Sequence, residues 1–227
     1  MRKEIQIYIF LTLIAGLLIG QRFDLGWAGG QGYDYSVPIQ VVEAVGVVEV
    51  DRAGMVHQAA TDDLIARGEI IRTDDASRVL LEIEGIHIGL DERTDMKVEV
   101  LANDQIQLKL MRGRIMVDRP ATGRELSITT NQTQSKLTGG AASFINYDFK
   151  EIVSMIPFNN SIFIKIGDKE FITQKPVEIH EVEPFEIMET TFDLKQNAAA
   201  DFYYWFEQAA NLEKTLENSG VMAITVD

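Results

Sequence analysis

Apolar and polar residues alternate with period two along most of the chain. Within residues 64–94, Val79, Leu81 and Ile83 fall on one face of an extended strand, and Glu82 and Glu84 on the other. After Gly85 the pattern resumes, with Ile86, Ile88 and Leu90 on one side and His87 and Gly89 on the other. Alternation on both sides of a glycine predicts a half-buried β-hairpin or a solenoid corner. Val41, Val45, Val47 and Val50 form a β-branched run around Gly46. Ile106, Leu108 and Leu110 alternate with Gln105, Gln107 and Lys109; Gly113 is expected to break that run, and Ile115 and Val117 restart it. Ile128 and Thr130 follow a turn at 120–123. Ile162, Ile164 and Ile166 alternate with Phe163 and Lys165 up to a turn at 167–169, and Phe171, Thr173, Val177, Ile179 and Val182 continue in the same manner. Turn signals every ~8–12 residues predict an all-β fold, a sandwich, barrel or solenoid, rather than βαβ units. No fixed-period repeat is visible, so a strict repeat array is not expected.

The period changes only at the two ends. Near the C-terminus Phe202, Trp205, Phe206, Ala209, Leu212 and Leu216 recur at helical spacing, opposite Glu207, Glu213, Lys214 and Glu217. This predicts an amphipathic helix with Asn197 as N-cap and Gly220 as its end, its aromatic stripe packed on its own domain. Residues 221–226 are expected to add a last short strand. At the N-terminus the uncharged run 5–20 follows Arg2, Lys3 and Glu4. As a helix it is about 24 Å long, close to the ~30 Å hydrocarbon core, and Arg22 is placed to snorkel. A cleaved signal peptide also fits the basic start, but Gly26-Trp27-Ala28 is a poor cleavage site. The expectation is therefore an uncleaved signal anchor, with the bulk of the chain extracytoplasmic by the positive-inside rule.

The expected organisation is a short cytoplasmic tail (1–4), a transmembrane signal anchor (5–22), a Gly-rich linker (23–38), a β domain with a C-terminal extension (39–192), and a C-terminal helix and tail (193–227). Trp27, Tyr33 and Tyr35 in the linker suit either the bilayer interface or the domain surface.

Composition narrows the partners. The net charge of −14 argues against nucleic acid, which needs clustered Lys and Arg, and against docking on anionic lipid. With no cysteine, a thiolate metal site, a disulfide and a thiol nucleophile are impossible. His57, His87 and His180 are not at metal-ligand spacing, and alternation turns His87 and His180 outward. Asp74-Asp75 and Asp91-Glu92 are paired carboxylates beside turn residues, where local backbone hydrogen bonding explains them better than acid–base chemistry. Gly139-Gly140 lacks the lysine and helix of a phosphate loop, and Ser143 and Ser154 lack a nucleophile elbow. The sequons at Asn131-Gln132-Thr133 and Asn159-Asn160-Ser161 are short enough to arise by chance. No catalytic, cofactor-binding or metal-binding residue is assigned, and no enzymatic activity is expected.

One set of segments carries a family resemblance: 45–50, Val-Gly-Val-Val-Glu-Val; 63–73, Asp-Leu-Ile-Ala-Arg-Gly-Glu-Ile-Ile-Arg-Thr; 77–81, Ser-Arg-Val-Leu-Leu; Gly85; 90–94, Leu-Asp-Glu-Arg-Thr; and 110–115, Leu-Met-Arg-Gly-Arg-Ile. Across residues 41–147 the chain resembles the FecR-type envelope domain family. The resemblance implies an all-β domain, β-solenoid-like or sandwich, displayed outside the bacterial cytoplasmic membrane, in contact with other envelope proteins. Signalling members of that family relay an outer-membrane transporter signal to a cytoplasmic sigma factor. Only residues 1–4 precede the expected span here, so a sensing or protein-interaction module without its own anti-sigma segment is expected. A structural envelope protein that binds glycan or neighbouring subunits is the other reading. Residues 152–227 have no counterpart in the resemblance.

Overall fold

The computed structural model describes residues 37–193, 197 and 199–210. The expected anchor and most of the linker, the helix beyond residue 210 and the last strand lie outside the described residues. Among those described, no helix is long and apolar enough to cross a membrane.

Among the described residues, seventeen strands form one continuous hydrogen-bonded network. The network doubles back along one strand, β9 (Gln105–Asp118), to make two facing sheets. The first sheet runs β4 (Leu64–Ile65), β1 (Ile39–Val45), β6 (Arg78–Ile83), β7 (Ile86–Leu90), the C-terminal half of β9, β12 (Ala142–Tyr147), β13 (Ile152–Pro157), β16 (Val177–His180) and β17 (Glu186–Glu189). The second runs β3 (Met55–Gln58), β2 (Val48–Arg52), β5 (Ile70–Thr73), β8 (Asp95–Leu101), the N-terminal half of β9, β10 (Glu125–Thr129), β11 (Thr133–Leu137), β14 (Ile162–Ile166) and β15 (Lys169–Thr173). All pairs are antiparallel except β9 with β10.

Alternation builds the core. Val79, Leu81, Ile83, Ile86, Ile88 and Leu90 of the first sheet share one buried cluster with Val48, Val50, Ile71, Met96, Val98 and Leu108 of the second. The hairpin read from the sequence is present in register, Val79 opposite Leu90 and Ile83 opposite Ile86. Gly113 does not break its run. It lies inside one strand at φ +95°, a conformation open mainly to glycine, and lets the strand bend from the second sheet into the first. The two runs expected on either side of it are halves of that strand.

The bend gives the sandwich a spine. Beside it the chain passes between sheets at 46–47, at 74–77 and at 91–94. Thr73, Ser77, Asp91 and Thr94 are all buried there. The Ser77 hydroxyl accepts from Val47 N–H at 2.9 Å. Thr94 N–H donates to Thr73 Oγ1 at 2.9 Å, and Arg114 N–H donates to Thr94 Oγ1 at 3.0 Å. Backbone groups of the crossings are thus satisfied by side chains where ladder bonding stops. At the opposite end the chain returns over 119–124, where the buried Arg119 guanidinium donates to Arg124 C=O at 2.6 Å. Because β9 is bent double, its two ends meet there. That is why a parallel β9–β10 pair needs only this short connection instead of a long crossover.

A single helix among the described residues, α1 (Ala200–Ala209), lies outside the first sheet. Ten residues are too few to be stable as an isolated helix, so packing holds it. Phe202, Tyr203 and Phe206 are buried against Leu80, Met116, Phe144 and Ile156. The aromatic stripe packs on its own domain, as the periodicity predicts. Asn197 is not the N-cap residue. That position is Ala199, and the Asn197 side chain accepts instead from Ala199 N–H at 2.9 Å, one step before the helix.

Candidate functional site

The register of the first sheet sorts its outer side chains into ranks that run across the strands. Leu80, Gly89, Met116, Phe144 and Ile156 are successive cross-strand partners. This apolar rank lies beneath α1. On one side stands a polar rank of successive partners, Arg114, Asn146, Ser154 and Glu178. On the other side stand Glu82, His87 and Asp118. Such ranks follow from the period of two: a residue two positions along each strand returns to the same face in the next rank.

The first polar rank opens into a cleft of about 290 Å³. Its floor is the rank itself, with Phe144 and Ile156 from the apolar rank, and its wall is Thr190, Thr191, Phe192 and Asn197. Phe192 stacks on Phe144 with ring centroids 5.6 Å apart and meets Phe158 at 6.3 Å, which holds the wall in place. Thr190 N–H donates to Pro176 C=O at 2.9 Å and fixes the start of that wall to the sheet.

The polar groups of the cleft differ in their engagement. Arg114 is committed: it contacts the buried Asp91 at 2.8 Å and Glu92 at 3.5 Å. Asp91 also holds Arg78 at 3.1 Å, and the Arg78 guanidinium lies 5.9 Å from the ring centroids of both Phe202 and Trp205. By contrast, the side chains of Asn146, Ser154 and Glu178 make no hydrogen bond or ion pair with other described residues. They are half-buried, so their remaining hydrogen-bonding capacity faces the cleft.

The second polar rank is electrostatically distinct. Burial pushes the Asp118 carboxyl above its usual value, and His87, its cross-strand partner, opposes that shift. His87 Nδ1 has no protein hydrogen-bond partner among the described residues. Burial also raises the Tyr203 phenol, which donates to Glu207 at 2.7 Å on α1.

The remaining residues singled out from the sequence are dispersed. His57 lies on β3, His87 on β7 and His180 on β16, and no cluster of three or more metal-ligating side chains forms among the described residues. Asp74 and Asp75 sit in the 74–77 crossing, where Asp74 accepts from Asp75 N–H at 2.8 Å. Asp75 pairs with Arg93, which lowers its carboxyl below the usual range. Glu92 accepts from Ala76 N–H at 3.0 Å. Gly139 packs so closely on Ala121 that a Cβ would lie 2.3 Å from its carbonyl oxygen. Ser143 is buried in the interior. Asn159 accepts from Ala142 N–H at 2.6 Å, and Thr133 is buried. Ser154 is the one candidate that reaches the cleft. Its neighbours Asn146 and Glu178 carried no local motif, and strand register alone brings them together.

No protein-family model matches the chain, and no curated protein is similar to it at a significant level. The chain is similar in structure to two crystal structures of a candidate anti-sigma factor from Parabacteroides distasonis. One is 12% identical, with a TM-score of 0.49, over 60% of this chain and 64% of that one. The other is 12% identical, with a TM-score of 0.48, over 55% of this chain and 60% of that one. The matched parts span less than two thirds of the length of those proteins.

Proposed function

We propose that this chain is a single-pass, membrane-anchored, FecR-like β domain on the outer side of a bacterial cytoplasmic membrane. In this reading it is a sensing or protein-interaction module that binds through the cleft of the first sheet and performs no catalysis. The observation that carries the binding role is the row Asn146, Ser154 and Glu178, three polar side chains without partners among the described residues, beside Phe144 and Phe192. Polar groups converging in an aromatic-sided concavity are what orients a ligand. The uncharged run 5–20 supports the anchor, and the segments named from 45–50 to 110–115 support the family.

Site-specific photo-cross-linking in native membranes tests the role. The full chain carrying a photoreactive residue at position 154 is expected to capture a discrete envelope component, whereas the same residue at position 109, on the second sheet, is not. Equal capture at both positions, or none at 154, overturns the assignment of the cleft.

A further inference from the structure

The binding role of this cleft, if granted, leaves open what chemistry it accepts, and the charges that line it decide between ligand classes. An arginine at the edge of a cleft would ordinarily suggest an anion. Here Arg114 is already neutralised by Asp91 and Glu92, and Asp91 is shared with Arg78. Those four groups cancel. The charge left over is the Glu178 carboxylate at the far end of the rank, half-buried and without a partner among the described residues. Between the two ends Asn146 and Ser154 offer neutral donors and acceptors, and the Phe144 and Phe192 rings, stacked on each other, add an apolar side. The carboxylate attracts a cation, and the apolar side accepts the aliphatic stem that carries it. At about 290 Å³ the cleft holds one group of side-chain size, not a folded surface.

We infer that the cleft binds a primary ammonium on a short aliphatic stem, its charge on Glu178, its stem along Phe144 and Phe192, and adjoining amide groups on Asn146 and Ser154. A lysine side chain of a partner and a free amine share this chemistry. The inference rests on the binding role proposed above.

The test is calorimetric titration of the purified full chain with the Nα-acetyl amides of lysine, glutamine and glutamate, and with pentane-1,5-diamine. The lysine derivative is expected to bind, the glutamate derivative not, and added salt to weaken binding. E178Q is expected to weaken the lysine derivative about tenfold or more, with thermal unfolding unchanged. Tighter binding of the lysine amide than of the diamine identifies a peptide source, and the reverse order a free amine. Binding of the glutamate derivative, or unchanged affinity in E178Q, overturns the ammonium assignment. If the cross-linker at 154 still captures a component while no amine binds, only the ligand class fails. If neither occurs, the binding role fails with it.

Discussion

Gly89 of β7 lies directly beneath Phe206 of α1: a Cβ at position 89 would come within 2.5 Å of Phe206 Cδ2. Phe206 is only 2% exposed, packed in the cluster with Leu80, Met116 and Phe202. The apolar rank therefore accepts the helix because one of its members has no side chain. G89A is expected to lift α1 from the sheet and destabilise the protein by about 1–3 kcal/mol, an overpacking cost. Denaturant unfolding followed by Trp205 fluorescence checks this. An unchanged midpoint would mean that α1 does not rest on β7.

Gly113 and Thr94 form the hinge of the sandwich. A Cβ at position 113 would meet Thr94 Cα at 2.5 Å, and φ is +95°. G113A therefore meets both steric conflict and a disfavoured backbone, and a loss of about 3 kcal/mol or more is expected. The readout is the yield of folded protein and the midpoint of thermal unfolding. T94S keeps the hydroxyl that receives Arg114 N–H, so it is expected to remain folded.

Glu181 performs at the other half of the spine what chain crossings do at the first. Beyond β9 the strands at this end are closed by hairpins, and no backbone links the sheets there. The Glu181 carboxylate, 4% exposed, accepts from Thr133 N–H at the start of β11 at 2.8 Å and from the Thr130 hydroxyl in the β10–β11 turn. It thus ties the first sheet to the second. E181A leaves Thr133 N–H only the Thr130 hydroxyl at 3.3 Å and the Thr130 hydroxyl only Thr133 C=O at 3.4 Å, so it is expected to cost about 1–2 kcal/mol, and E181Q less. Hydrogen exchange at Thr133 N–H should accelerate most in E181A.

Asp118 is a carboxyl group whose titration opposes folding. Its folded value is raised by burial, so the native state holds this proton more tightly than the unfolded chain does. Stability is therefore lost as pH rises from the unfolded value, about 3.9, through the raised folded one, and the penalty is complete above both. D118N removes the penalty. Its thermal midpoint is expected to exceed that of the parent at pH 7, with the gain shrinking as pH falls through the raised folded value and vanishing below the unfolded one. A gain that does not change with pH would rule out titration as its cause.

Much of this was legible in the residues. Val79, Leu81 and Ile83 against Ile86, Ile88 and Leu90 gave the hairpin because a strand has one period and Gly85 permits its turn. Phe202 and Phe206 gave the buried face of α1 for the equivalent reason at helical period. The pairs Asp74-Asp75 and Asp91-Glu92 were readable as turn residues, and they lie in the 74–77 and 91–94 crossings beside the spine. Gly113 misled because glycine interrupts a strand and bends one with the same local signal. Asn197 misled by two positions because its side chain serves the turn before the helix.

The sequence by itself determined which residues face inward, since alternation is a local property enforced by burial of apolar surface. It also determined the absence of thiol chemistry and the strong acidity. Only the tertiary structure decided which outward residues stand together. Arg114, Asn146, Ser154 and Glu178 are separated by loops and hairpins along the chain, and strand register, fixed by long-range pairing, puts them in one row. The cleft is a property of that register and of the Thr190–Phe192 wall laid over it, and neither is encoded in any single stretch.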